Sequence, residues 1–179
     1  MTDHFQALAL PRRYALDVAE LERRYRELSR EVHPDRFATA PAAEKRVALE
    51  RSTALTAAYH TLKAPLRRAA YFLKINGLSI EAEGPEGRSP IELSPEFLST
   101  FLDLREAFDE HAHDPGQRAE TLAHIGAERA RRVENLTRDL TALPEGAPRE
   151  VLLPLAQRLL ELRYYDRFLQ YLEEEEEAP

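Results

Sequence analysis

His33-Pro34-Asp35-Arg36-Phe37 stands between two amphipathic stretches and decides how the first half of the chain folds. Pro34 ends whatever helix precedes it, because proline lacks the N–H that a helix interior needs. Upstream, Val18, Leu21, Tyr25, Leu28 and Val32 recur at helical spacing and define one apolar face. Asp17 with Glu20 has the form of a capping box, so that helix starts just after Asp17. Downstream, Pro41 to about Leu62 gives a second amphipathic helix, with Val47, Ala54, Leu55, Ala58, Tyr59 and Leu62 on one side. Two apolar faces of this length must pack antiparallel, which puts the five residues at an exposed tip. A turn with its φ fixed by proline then presents an imidazole and a carboxylate to a partner.

The surroundings of the tip fit that role. At about 100° per residue, Arg23, Arg26 and Arg30 fall on one stripe opposite the apolar face. An arginine stripe leading to the tip suits an acidic protein surface, with electrostatics setting encounter rate and register. Phe5, Leu8 and Leu10 allow a short helix at the start, and Pro65 opens another over Leu66 to Lys74, with Asn76-Gly77 as its C-cap.

Residues 76–94 hold three Gly and two Pro with few large apolar side chains, and are read as a linker. The second half restarts at Ser94-Pro95, an N-cap followed by proline at the first helical position, and Asp114-Pro115 repeats the device. Helices are expected near 95–112, 115–142 and 148–173, with Pro154 either kinking the third or marking a late start. Short connections favour an antiparallel three-helix bundle. Glu173 to Glu177 reads as a solvated, frayed tail. The fold class is therefore all-α.

Charge divides along the same line. Fourteen basic and nine acidic side chains over residues 1–75 give +5, whereas eleven and twenty-three over 76–179 give −12, within a net −7. Modules of opposite sign point to different partners, and the acidic half competes with any nucleic acid for the basic one. The chain has no Cys, which excludes a disulfide framework, thiolate metal sites and a cysteine nucleophile. No apolar run approaches the roughly 18 residues of a membrane span, and the first 30 residues lack the apolar core of a secretory signal. The chain is therefore expected to be soluble and intracellular, with neither membrane nor nucleic acid as a partner.

Helix, basic helix, His33-Pro34-Asp35, long helix with Tyr59 and short helix together resemble a J-domain over residues 1–75. The resemblance implies that His33, Pro34 and Asp35 contact a heat-shock chaperone of the DnaK/HscA class and stimulate its ATPase. Arg23, Arg26 and Arg30 would lie along the chaperone's acidic lobe. Tyr14-Ala15-Leu16-Asp17, the His33–Phe37 element, Phe97-Leu98 through Leu102-Asp103-Leu104-Arg105-Glu106 with Glu110, and Leu162-Arg163-Tyr164-Tyr165-Asp166 resemble the HscB family, J-type co-chaperones of iron–sulfur cluster biogenesis. In that family the C-terminal bundle, here 95–179, binds an IscU-type scaffold protein. Carried over by motif, the contacts are Leu98, Leu102, Asp103, Arg105, Glu106, Glu110 and Tyr164. Ser99 stands where the family often has a larger apolar residue, Asp103 replaces a longer Glu, and Tyr164 replaces an aromatic that need not carry a hydroxyl. The cysteine-paired zinc module of some eukaryotic relatives is missing, which fits a bacterial type.

Periodicity supports a surface there independently. Phe97, Phe101, Leu104 and Phe108 form the stripe expected to face the bundle, and Leu98 and Leu102 lie about 80–120° away among charges. On the last helix Val151, Leu155, Leu162, Tyr165 and Leu169 make the core face, with Leu153, Leu160, Tyr164 and Tyr171 opposite. That is more apolar surface than a three-helix core buries, so either a broader core or packing against the J-domain absorbs it, or it forms a protein-binding patch; the resemblance favours the patch.

No residue reads as catalytic. His111 and His113 are splayed by their i, i+2 spacing, and His60 and His124 have no evident ligand cluster, so neither metal nor cofactor is expected. His33 and Asp35 lack a third group and a pocket to exclude water. A general client-delivering J-protein would need an adaptable, often Met-rich surface, but the single Met is Met1. A non-activating adaptor would not need intact His33, Pro34 and Asp35. The expected state is a monomer or weak homodimer.

Overall fold

The computed structural model describes residues 3–81, 89–110 and 114–177; His111 and His113, and 82–88 of the expected linker, lie outside them. Among the described residues there are seven α-helices and no strand. They fall into two compact units, Met1–Phe72 and Leu73–Pro179.

In the first unit, α1 (His4–Ala7), α2 (Val18–Glu31) and α3 (Ala42–Lys63) pack together, with the start of α4 (Pro65–Ile75) alongside. Asp17 Oδ1 accepts from Ala19 N at 2.9 Å and so caps α2, as read from sequence. Glu20, the other half of the expected box, instead bonds Arg23 and Arg24. Leu21, Leu55, Ala58 and Leu62 are buried with Phe5, Leu8 and Tyr14. Tyr25 and Tyr59 stack across α2 and α3 with centroids 4.1 Å apart and planes 10° from parallel. Three expected core residues are exposed: Val18 in the first turn of α2, and Val47 and Ala54 on α3. The hairpin core is thus narrower than the periodic stripe that suggested it.

Arg68 is the buried charged residue of this unit. Its Nη1 donates to Leu62 O at 2.8 Å, and its guanidinium lies 4.7 Å from the centroid of Tyr14. One of the orphan carbonyls at the end of α3 is thereby satisfied by a cation held against a ring.

Two helices end in the same way with different residues. After α4, Gly77 takes φ +79° and Leu78 N returns to Leu73 O at 2.9 Å. After α1, Leu10 N returns to Phe5 O at 2.9 Å, but the left-handed residue is Ala9, with φ +52°. This 6→1 closure favours glycine, because a Cβ is strained at positive φ. Ala9→Gly should therefore raise stability by about 0.5–1 kcal/mol. A higher thermal midpoint with unchanged helical content is the outcome to look for, and a lower midpoint contradicts the strain.

The second unit contains α5 (Pro95–Glu110), α6 (Pro115–Thr141) and α7 (Arg149–Glu177). The predicted caps form: Ser94 Oγ accepts from Phe97 N at 3.1 Å, and Asp114 Oδ1 accepts from Gly116 N and Gln117 N at 2.9 and 3.2 Å. The third helix does not start late, since it begins at Arg149 with Pro154 inside it. Nor is Glu173–Glu177 frayed in its backbone, which stays helical to Glu177. Leu78, Ile80 and Ile91, from the stretch read as a linker, are buried. Arg149 and Arg163 hold Gly77 O and Ile80 O at 2.8 and 3.1 Å.

The C-terminal half of α6 is tied to α7 by ion pairs. Arg132 Nη1 meets Glu161 Oε2 at 2.8 Å, Arg158 Nη1 meets Asp139 Oδ2 at 2.7 Å, and Arg129 pairs with Asp166. Burial pushes the Glu161 carboxyl above the usual carboxylate range, and Arg132 partly offsets this. These three bridges fix the register of α7, whose other faces carry the aromatic residues discussed below.

Candidate functional site

The tip between α2 and α3 is a 3₁₀ turn over Pro34–Phe37. His33 caps it with its ring: Nδ1 accepts from Asp35 N at 3.3 Å, while the backbone closes through Arg36 N to His33 O at 3.0 Å. The same nitrogen lies 3.5 Å from Asp35 Oδ2. The imidazole is thus part of the turn itself, with the Asp35 carboxylate beside it. The Asp35 side chain is 89% exposed and that of His33 58%, so both are available to a partner. Arg36 Nη1 reaches back to Arg30 O at 3.3 Å, bracing the turn against the last turn of α2.

The stripe is less uniform than its sequence. Arg23 is clamped by Glu20 at 2.6 and 2.8 Å and by Glu27 at 2.7 Å, and Arg23 in turn holds the Glu20 carboxyl below the usual range. Arg26 and Arg30 are exposed, and after Lys63 it is Arg26 that helps hold the Glu22 carboxyl below the usual range. The clamp was legible, since a glutamate three residues before and another four after an arginine lie on its helix face. Beside the tip, Val32, Phe37, Ala43, Val47 and Ala48 line a cleft of about 550 Å³ rimmed by Glu31, Glu44 and Arg51. The exposed Val47 is explained by this cleft, which periodicity alone did not reveal.

On the second unit, α5 divides its faces as expected. Phe97 and Phe108 are buried and Phe101 and Leu104 half-buried in one cluster with Ile125, Tyr165, Phe168 and Leu172. Leu98 and Leu102 remain 40% and 55% exposed, with Asp103, Arg105, Glu106 and Glu110 exposed around them. Tyr164 is half-buried and meets Phe97 and Phe101 edge-on at 6.1 and 5.9 Å. It therefore sits where the core meets the surface, rather than opposite the core.

The expected division of α7 needs two corrections. Leu160, placed outside, is buried, and Val151, placed in the core, is 46% exposed. Gln157 Nε2 donates to Glu92 O at 3.2 Å, and Arg163 donates to Ile80 O. The segments around Ile80 and Glu92, both before α5, thus reach α7 one turn to either side of Leu160. Val151 lies in the first turn, one residue before the buried set that starts at Leu152.

His60 and His124 are exposed, and no group of three His, Cys, Asp or Glu among the described residues is placed to hold a metal. None of the described helices is long and apolar enough to cross a membrane.

Comparison with known proteins agrees with this division of the chain. Residues 3–71 match the DnaJ domain, and residues 93–173 match the HSCB C-terminal oligomerisation domain. Co-chaperone protein HscB homologs of Bordetella pertussis and Bordetella parapertussis are 36% identical over 135 residues, 75% of this chain and 76% of theirs. HscB of Vibrio cholerae superposes with a TM-score of 0.69 at 25% identity, covering 97% of each chain. Human HscB gives 0.73 at 26% identity, over 98% of this chain and 82% of that one. With a J-domain fold before an HscB-type helical domain, and relatives of this identity across three quarters of its length, the chain belongs to the HscB family of co-chaperones.

Proposed function

We propose that this co-chaperone serves iron–sulfur cluster assembly in the cytoplasm, delivering an IscU-type scaffold to a DnaK/HscA-class chaperone and stimulating that chaperone's ATPase. Residues 1–75 are assigned to the chaperone, 76–94 to the connection and 95–179 to the scaffold. The observation that carries the reading is an exposed pair on each unit: His33 with Asp35 at a rigid tip, and Leu98 with Leu102 among charges on α5.

The chemistry follows from those surfaces. Asp35 offers a nearly unshielded carboxylate, which recognises a cation on the chaperone, and the His33 ring sets the turn that aims it. Arg26 and Arg30 steer the encounter with an acidic surface, while Arg23 contributes once it leaves its glutamates. On α5, Leu98 and Leu102 supply the apolar centre, and Asp103, Arg105, Glu106, Glu110 and Tyr164 supply the rim. Holding both partners on one chain raises the scaffold's effective concentration at the chaperone's substrate site. Hydrolysis itself is the chaperone's chemistry, and His33 and Asp35 act by contact.

Single-turnover ATP hydrolysis by a DnaK/HscA-class chaperone tests the reading. The protein and scaffold together should accelerate it well beyond the product of their separate effects. Stimulation indifferent to the scaffold would reduce the second unit to general client delivery. No stimulation by a cognate chaperone would leave only an adaptor.

A further inference from the structure

The aromatic contacts of the second unit fix how α5 and α7 run. Phe97 meets Tyr164 and Tyr165, Phe101 meets Tyr165 and Phe168, and Phe108 meets Phe168 at 5.9 Å. The contacts advance in the same direction on both helices, so α5 and α7 are parallel. The exposed face of α5 extends from Leu98 through Leu102 and Arg105 to Asp109, about 16 Å at 1.5 Å per residue. Tyr164 flanks only the first part of that length.

Seven residues beyond Tyr164, and about 20° from it around the helix, stands Tyr171, 45% exposed. Its neighbours Phe168 and Leu172 are buried, so the ring emerges at the edge of the core just as Tyr164 does. The Phe101 and Phe108 contacts with Phe168 bring Tyr171 level with the second half of α5, where Arg105 and Asp109 are exposed. Between the two tyrosines, on the same side, Arg167 is exposed.

We propose that the scaffold-binding surface continues along α7 through Arg167 to Tyr171, making a two-walled site rather than a patch on α5. The inference rests on the scaffold reading above. The occupant is the IscU-type scaffold, because the strip is continuous with Leu98, Leu102 and Tyr164 and its walls differ in charge. Asp103, Glu106, Asp109 and Glu110 make the α5 wall predominantly acidic, whereas α7 presents Arg167. The surface fits a folded partner whose apolar ridge is bordered by basic side chains towards α5 and acidic ones towards α7. An exposed tyrosine suits this role, since its ring gives contact area at little entropic cost.

The test is titration of purified apo scaffold into the full chain carrying Tyr171→Ala, Arg167→Glu, or Leu98→Ala with Leu102→Ala. Tyr171→Ala should raise Kd about tenfold, within the usual range for an interface tyrosine, and Arg167→Glu should raise it severalfold with a changed salt dependence. Thermal midpoints and scaffold-free ATPase stimulation should match the parent for both α7 variants. If the leucine pair weakens binding and the α7 variants do not, the extension is wrong and the scaffold reading stands. If none of the variants weakens binding, the scaffold reading itself fails. If Tyr171→Ala loses only self-association seen by light scattering, a second copy of this chain occupies the strip and the proposal is overturned.

Discussion

Asp35→Asn is expected to abolish ATPase stimulation while the affinity for scaffold stays as it was. The substitution keeps the shape of the side chain and the backbone bond from residue 35 to the His33 ring, and it removes only the charge. The carboxylate side chain is 89% exposed and its charged neighbour, His33 at 3.5 Å, is itself 58% exposed, so the thermal midpoint should move little. Losing one partner of a charge pair that becomes buried on docking costs about 2–5 kcal/mol, a factor of roughly 30 or more. Single-turnover hydrolysis at several co-chaperone concentrations separates weaker docking from lost coupling. A normal rate with Asp35→Asn sinks the proposed role of the tip.

Leu98→Ala with Leu102→Ala should do the reverse. Both side chains are already substantially exposed, so truncation leaves no cavity in the Phe97–Phe108–Phe168 cluster. In a complex each would be buried, and removing three carbons from each forfeits about 2–4 kcal/mol together, a roughly 30- to 900-fold rise in Kd. Scaffold-free stimulation should be unchanged. If calorimetry shows parental affinity, the α5 face is not the scaffold site.

The helices and their starts were readable because they depend on local chemistry. Asp17, Ser94 and Asp114 cap the helices they precede in sequence. The two faces of α5 were readable for the same reason, because Phe97 and Leu98 are separated by helix geometry alone. What stayed hidden depends on residues distant in the chain. Leu160 has the pattern of a surface residue yet is buried, between Gln157 and Arg163, which bond backbone carbonyls of the distant Glu92 and Ile80. Val47 has the pattern of a core residue and instead lines the cleft with Phe37. Arg23 belongs to the stripe by angle, but Glu20 and Glu27 on the same helix face occupy it, as their i−3 and i+4 spacing announces.

The parallel course of α5 and α7 also bears on the order in which a nascent chain becomes competent. In the first unit every tertiary contact lies within 72 residues, so it can fold once that much chain has left the ribosome. The wall that Tyr164 and Phe168 build against Phe97 and Phe101 joins positions more than sixty residues apart and cannot close before α7 is made. On the proposed function, a growing chain thus has its tip before it has a surface for the scaffold. Early termination upstream of α7 would then leave a tip that stimulates the chaperone with nothing to deliver.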